Sequence, residues 1–252
     1  MILNFFTRKD WKGYSVFRKG FTLLLFSIFP YRVWKKYSKS VIKSFELNNV
    51  DVCNDKALMD FMFELKYRRC SQLLMTIREM INIYRMVKRT ENLDGDIAEV
   101  GVYRGGSAAI MAHFKGNRRL NLFDTFEGLP DVNKEKDILE KGNMDATSMQ
   151  IVKDLLKDYD NCFVYQGIFP DTSGPIKDRT FSFVHLDTDL YDGTLQSLNF
   201  FYDKMQKGGI ILTHDYSDLL TPGVKEAFDL FFKDKPEIIV EVWDTHALII
   251  KQ

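Results

Sequence analysis

Leu73, Ile77, Met80, Tyr84 and Val87 recur at intervals of three and four, the spacing of one helix face, and predict a helix within Tyr67–Lys88. Asn92-Leu-Asp-Gly95 breaks that pattern. Beyond it, short apolar runs alternate with helical stretches. The runs predict strands at Ile97–Val102, Leu120–Phe123, Cys162–Tyr165, Phe181–Leu186 and Gly209–Thr213. The stretches between and after them predict helices over Gly106–Phe114, Ser148–Tyr159, Gly193–Met205 and Gly223–Phe232. Two last runs, Glu237–Val242 and Ala247–Lys251, lie too close together for a crossover helix, so they predict a hairpin. Alternating β and α calls for a mostly parallel sheet with helices on both faces, and the hairpin adds one antiparallel strand.

At 252 residues the chain lies between one large domain and two small ones on a prior of roughly 150 residues per domain. An apolar fraction of 45% is enough for a sizeable core and excludes a disordered or collagen-like chain. The 35 basic and 35 acidic residues cancel, which argues against nucleic acid as a partner. Cys53, Cys70 and Cys162 are scattered and odd in number, so neither a disulfide framework nor a thiolate zinc site fits. A reducing, cytoplasmic setting is expected. Met75, Met80 and Met86 read as core positions.

The balanced total hides a basic arm. From Met1 to Phe45, Asp10 is the only acid among ten lysines and arginines. Gly20–Tyr31 (GFTLLLFSIFPY) carries no charge, but spanning a bilayer takes about 18 or more such residues. Pro-Tyr-Arg-Val-Trp after the apolar run is a poor secretory cleavage site. Two readings stay open for residues 1–50 as a helical arm ahead of a domain over 51–252. Phe21, Leu24, Leu25, Phe26 and Phe29 cover the main domain or a twin subunit, or they anchor the chain peripherally at the inner membrane face, lysines against anionic lipid.

The first strand runs into Glu99-Val-Gly101-Val-Tyr103-Arg-Gly105-Gly106-Ser107. A strand, a glycine turn and a helix start let a ligand approach the backbone closely, with Gly101 and Gly105 lacking the Cβ atoms that block it. Ser107 is expected to cap the helix. Asp124 ends the second strand 25 positions after Glu99, which suits an acid that binds a ribose diol. The G-x-x-x-G-G spacing differs from the G-x-G-x-x-G of a nicotinamide cofactor, and Glu99 would repel a pyrophosphate but hold an ammonium. S-adenosylmethionine has both an amino-acid end and a ribose.

The fourth strand runs into His185-Leu-Asp187-Thr-Asp189-Leu-Tyr191-Asp192, and the fifth into Thr213-His214-Asp215-Tyr216. Ligands of open α/β sheets bind beyond the carboxyl ends of the strands, which places Asp187 near Asp215. Carboxylates gathered there need a cation or shared protons, and Mg²⁺ suits oxygen ligands. Asp192 reads as a helix-start residue, Asp189 as a site or loop residue, and His214 as ligand, base or supporting partner.

Together these pieces resemble the macrocin and mycinamicin O-methyltransferase (TylF-like) family of class I S-adenosylmethionine-dependent methyltransferases. The resemblance runs from about Cys70 to Lys251 and rests on GDIAEVGVYRGGSA (Gly95–Ala108), FDTFEGLPD (Phe123–Asp131), GIFPDT (Gly167–Thr172), HLDTDLYDGT (His185–Thr194), GGIILTHDY (Gly208–Tyr216) and GVKEAFDLF (Gly223–Phe231). It implies a Rossmann-like seven-stranded sheet with an antiparallel last strand and methyl transfer to a sugar hydroxyl. Glu99 and Gly101 match positions around the methionine end of the cofactor, Asp124 the ribose-binding acid, and Asp187 the first metal-binding aspartate. The candidate cofactor set is Glu99, Gly101, Tyr103, Gly105, Ser107, Asp124 and Thr125; the candidate metal set is Asp187, His214 and Asp215. His214 stands where the family has the first of two adjacent aspartates.

The expected reaction is divalent-metal-assisted methylation of a small-molecule or lipid-linked glycoside by a homo-oligomer. Asp187 and His214 are its catalytic residues, with His246 the lesser alternative as base. The polar stretch Asp131–Asp145 exceeds ordinary loop length and reads as a lid or as a solvated loop. A methyltransferase-like scaffold without turnover is the rival from another class.

Overall fold

The computed structural model describes residues 51–70 and 73–252. The expected N-terminal helical arm lies outside the described residues. The chain divides into two compact units, Met1–Arg68 and Arg69–Gln252. In the described part of the first, helix α1 (Lys56–Glu64) starts at Asp55, whose side chain accepts from Leu58 N at 3.0 Å.

The second unit is an α/β sandwich. Its elements are α2 (Ile77–Arg89), β1 (Asp96–Val100), α3 (Gly106–Phe114), β2 (Leu120–Asp124), α4 (Met149–Leu156), β3 (Cys162–Gln166), β4 (Phe181–Leu186), α5 (Tyr191–Phe201), β5 (Met205–Thr213), α6 (Pro222–Phe232), β6 (Val240–Glu241) and β7 (Ala247–Ile250). The seven strands are ordered β3-β2-β1-β4-β5-β7-β6. β7 runs antiparallel to both β5 and β6, so the expected terminal hairpin forms and supplies the one reversed strand. Among the described residues, no helix is long and apolar enough to cross a membrane.

Every residue of β1 and β4 is buried, as strands covered on both faces must be. On one face Ala98, Val100, Val184, Leu186, Ile211 and Ile249 join Leu198 and Phe201 of α5 and Phe228 and Phe232 of α6 in a single cluster. Each fully buried phenylalanine there contributes about 1.5–3 kcal/mol. The alternate residues turn to the other face. There Glu99 and His185, partners across β1 and β4, meet each other, and the His185 ring lies beside His246, which Asn82 of α2 contacts.

The α2 boundary departs from the sequence pattern. The helix predicted within Tyr67–Lys88 begins only at Ile77, because Thr76 and Glu79 form a reciprocal capping box that fixes the start. Thr76 N donates to Glu79 Oε2 at 2.7 Å and Glu79 N to Thr76 Oγ1 at 3.1 Å. β5 begins earlier than predicted, at Met205, because its pairing with β4 jumps from Phe181–Met205 to Phe183–Ile210 across an irregularity at the glycines.

Candidate active site

The turn after β1 is built by its neighbours. Gly101 has φ +86°, and a Cβ there would lie 1.9 Å from the Asp187 carbonyl oxygen. Gly105 has φ +80° and serves as the N-cap of α3, its Cβ direction facing Leu155 and Val152. The Cβ sides of both glycines therefore face protein. They are required by the left-handed backbone and, at Gly101, by direct packing of the β1 end on the β4 end. Asp124 holds the turn from below. Its Oδ2 accepts from Val102 N at 2.8 Å and Tyr103 N at 2.7 Å, and its Oδ1 from Phe126 N at 2.6 Å. A carboxylate has about four lone-pair sites, so little capacity is left for a further donor. Burial raises the Asp124 pKa, opposed by those backbone bonds. Tyr103 is left-handed at φ +49°, and its carbonyl accepts from Thr147 Oγ1.

Two sequence assignments change in detail. Ser107 does not cap α3; it is buried within the first turn, and the cap position belongs to Gly105. The Thr125 hydroxyl donates to Gly128 O at 2.6 Å and so closes its own loop. Glu99 is fully buried with Oε1 2.9 Å from His185 Nδ1, while Oε2 has no hydrogen-bond partner. Burial raises its pKa against the pull of His185. An orphaned carboxylate oxygen at the end of β1 fits a cationic ligand group such as an ammonium.

Asp187 and His214 are the first residues beyond β4 and β5, and the ladders still hold them. Asp187 N donates to Val100 O at 2.9 Å and His214 N to Leu186 O at 2.8 Å. His214 Nδ1 consequently lies 2.9 Å from Asp187 Oδ1 and 2.8 Å from Asp215 Oδ1. The structure brings the three predicted metal-site residues together, with one donor atom from each lying within 4.8 Å of the others. Asp215 and Asp189 both adopt left-handed backbone, at φ +62° and +60°, a conformation aspartate tolerates better than most residues. Burial alone would lower the His214 pKa, but the charges of Asp187 and Asp215 drive it well above its ordinary value. Asp187 is held low: burial pushes it up, but the charge and hydrogen bond of His214 together with the neighbouring His185 and His246 outweigh that. Burial, then the charges of Asp215 and Asp187, raise Asp189 well above the carboxylate range.

The donor set fits a divalent cation. His214 Nδ1 is buried 2.9 and 2.8 Å from carboxylate oxygens of Asp187 and Asp215, so the three donor atoms lie close enough to share one ion. Glu79 and Asp187, both held low, flank the imidazole together with Asp215, so the cluster stays negative even with the ring protonated.

Sequence reading missed Glu79, which α2 delivers from outside the strand-end loops. Its Oε1 accepts from Thr245 Oγ1 at 2.8 Å and faces His214 Nε2 at 3.5 Å. The signal was present as T-I-R-E, the spelling of a capping box, at Thr76–Glu79. Also missed was a row of histidine rings: His185 to His246 at 5.7 Å between centroids and His246 to His214 at 5.0 Å. His246 is fully buried, with Nδ1 3.1 Å from Asn82 Nδ2, so it cannot serve as a base toward a substrate. Burial, then the neighbouring His214 and His185 charges, keep it neutral.

The 131–145 stretch is anchored over the strand ends. Asp137 Oδ1 accepts from Tyr191 N at 2.9 Å, the first amide of α5, and Lys136 pairs with Glu226 of α6. Asp192 lies in the first turn of α5, as expected.

This strand order, with a glycine turn closing the first strand and an acid closing the second, is that of the class I S-adenosylmethionine-dependent methyltransferases. Within that class the macrocin-O-methyltransferase (TylF) family model matches residues 68–245, and the chain belongs to that family. It is 30% identical over 171 residues to demethyldecarbamoylnovobiocin O-methyltransferase of Streptomyces niveus, covering 61% of this chain and 64% of that one. It is 29% identical over 143 residues to 8-demethyl-8-(2,3-dimethoxy-alpha-L-rhamnosyl)-tetracenomycin-C 4'-O-methyltransferase of Streptomyces olivaceus, covering 50% of this chain and 55% of that one. The alignments thus span less than two thirds of these relatives' own lengths. Among solved structures it resembles the O-methyltransferase NovP, with a TM-score of 0.61 and 25% identity over 70% of this chain and 80% of that chain.

Proposed function

We propose that this chain is an S-adenosylmethionine-dependent O-methyltransferase that methylates a sugar hydroxyl of a glycoside, assisted by a divalent cation at Asp187, His214 and Asp215. The observation that carries this reading is the packing of Gly101 against the Asp187 carbonyl, which joins the cofactor turn directly to the acid cluster. The sugar acceptor is supported by a relative named for O-methylation of a compound bearing a dimethoxyrhamnosyl group.

When bound, S-adenosylmethionine supplies an electrophilic methyl on sulfur, and a divalent ion supplies Lewis-acid polarisation of a hydroxyl. The chain's own residues do the rest. Glu99, with its unpartnered Oε2, binds the cofactor's ammonium, and Asp124 keeps the turn in the shape that receives the nucleoside. Asp187 orients the acceptor hydroxyl toward the cofactor side of the pocket. Both His214 nitrogens face protein carboxylates, which leaves Asp189, outside the three-residue set, as the base; a cation neutralising Asp187 and Asp215, whose charges help raise Asp189, would let it ionise and take the hydroxyl proton. The anchored 131–145 loop limits water around the reacting groups.

The test is methyl transfer, read by mass spectrometry, to rhamnosyl glycosides and nucleotide-linked deoxysugars. The wild-type chain is expected to give a singly methylated product, to lose turnover with a chelator and to regain it with Mg²⁺ or Mn²⁺. The Asp189→Asn variant should fall by on the order of 10²–10³ in kcat. Cofactor binding without turnover on any glycoside would favour a scaffold instead.

A further inference from the structure

His214 presents its two nitrogens to different carboxylates. Nδ1 faces Asp187 and Asp215, whereas Nε2, on the opposite side of the ring, is buried and faces Glu79 Oε1 at 3.5 Å. Glu79 is itself 3% exposed and fixed at both oxygens: Oε2 by the Thr76 amide, Oε1 by the Thr245 hydroxyl and amide at 2.8 and 3.4 Å. One residue therefore closes the N-terminus of α2, ties down the turn between β6 and β7, and supplies the acceptor behind the ring. An imidazole ligates through one nitrogen while the other carries the proton, and the partner of that proton decides which nitrogen is free. An acceptor behind Nε2 leaves Nδ1, 2.9 and 2.8 Å from the two aspartates, as the nitrogen available to an ion they share. Oxygen-only donor sets suit Mg²⁺, whereas imidazole nitrogen favours transition ions.

We propose that Glu79 is a positioning residue that makes His214 a nitrogen ligand through Nδ1, and that the Glu79–His214 pair shifts the site's preference from Mg²⁺ toward Mn²⁺ and Co²⁺. The inference rests on the metal-assisted reading above. It explains why a carboxylate reaches this point from a helix outside the strand-end loops: a nitrogen donor in place of an aspartate needs its outer nitrogen held.

The test uses the full chain with Mn²⁺ and Mg²⁺ as probes, without substrate. Mn²⁺ affinity is read by electron paramagnetic resonance, Mg²⁺ affinity by competition, and nitrogen coordination by ¹⁴N electron spin echo modulation. The wild type should show bound Mn²⁺ with a nitrogen signal. His214→Asp should lose that signal and narrow the Mn²⁺ over Mg²⁺ preference at least about tenfold. Glu79→Gln should weaken Mn²⁺ binding about 10–100-fold, but by less than about threefold in the His214→Asp background. Thr76→Ala, which breaks the capping box and leaves Glu79 Oε1 in place, should lower the melting temperature and keep the Mn²⁺ affinity. Bound Mn²⁺ without nitrogen modulation, or an equal loss from Glu79→Gln in both backgrounds, would overturn the pair while leaving the metal-assisted reading intact. No Mn²⁺ binding by the wild type would overturn both.

Discussion

Asp187→Ala should reduce methyl transfer by on the order of 10³-fold or more while changing S-adenosylmethionine affinity less than about threefold. Its carboxylate lies 2.9 Å from His214 Nδ1 and is held low in pKa by that ring, so truncation removes one donor of the three and part of the ring's charge compensation. Its backbone would be untouched: the amide still bonds Val100 O, and the carbonyl still packs on Gly101. The glycine turn therefore keeps its support, which is why binding and turnover should separate. Single-turnover kinetics alongside calorimetry check this. An equal loss of both would contradict the role assigned to Asp187.

Gly101→Ala is expected to be the most damaging single-methyl change in the described chain. The new Cβ would meet the Asp187 oxygen at 1.9 Å and its carbonyl carbon at 2.6 Å, both backbone atoms with no rotamer to yield. The φ of +86° adds strain of about 1–3 kcal/mol, and overpacking a similar amount. A combined cost of about 2–6 kcal/mol is a large share of the roughly 5–15 kcal/mol that holds a domain folded. In a chain of this size it lowers the melting temperature by roughly 10 °C. Relief by displacement would move Asp187 off His214, so folded protein should also lose turnover. A melting temperature within a degree or so of wild type would refute this account of the turn.

Much of the fold was legible because strand and helix periods differ. Phe181–Leu186 and Gly106–Phe114 were read with their observed bounds, and the closing hairpin followed from the short gap before Ala247. The entry helix was misjudged because Leu73 fits the apolar period although the capping box starts the helix four residues later; local hydrogen bonding outweighed periodicity. β6 shortened to Val240–Glu241 because an edge strand pairs on one side only and its outer residues gain little from the ladder. Within the site, Asp187, His214 and Asp215 could be grouped from the rule that ligands gather at strand ends. Glu79, Asn82 and the histidine row could not, since the α2 residues meet His214 and His246 across more than a hundred positions and the histidines meet one another across 32 and 61. The glycines were identified for the right turn and the wrong neighbour. No residue pattern announces that the atom a Cβ would strike is a carbonyl 86 positions away, at Asp187.

Whether the pocket takes a sulfonium nucleoside is tested most directly by titrating the whole chain with S-adenosylmethionine in a calorimeter, beside Glu99→Gln and against NADH. Saturable one-to-one binding is expected for the wild type, weakened about 10–100-fold by Glu99→Gln, with no heat from NADH. Saturation by NADH and none by S-adenosylmethionine would contradict the account.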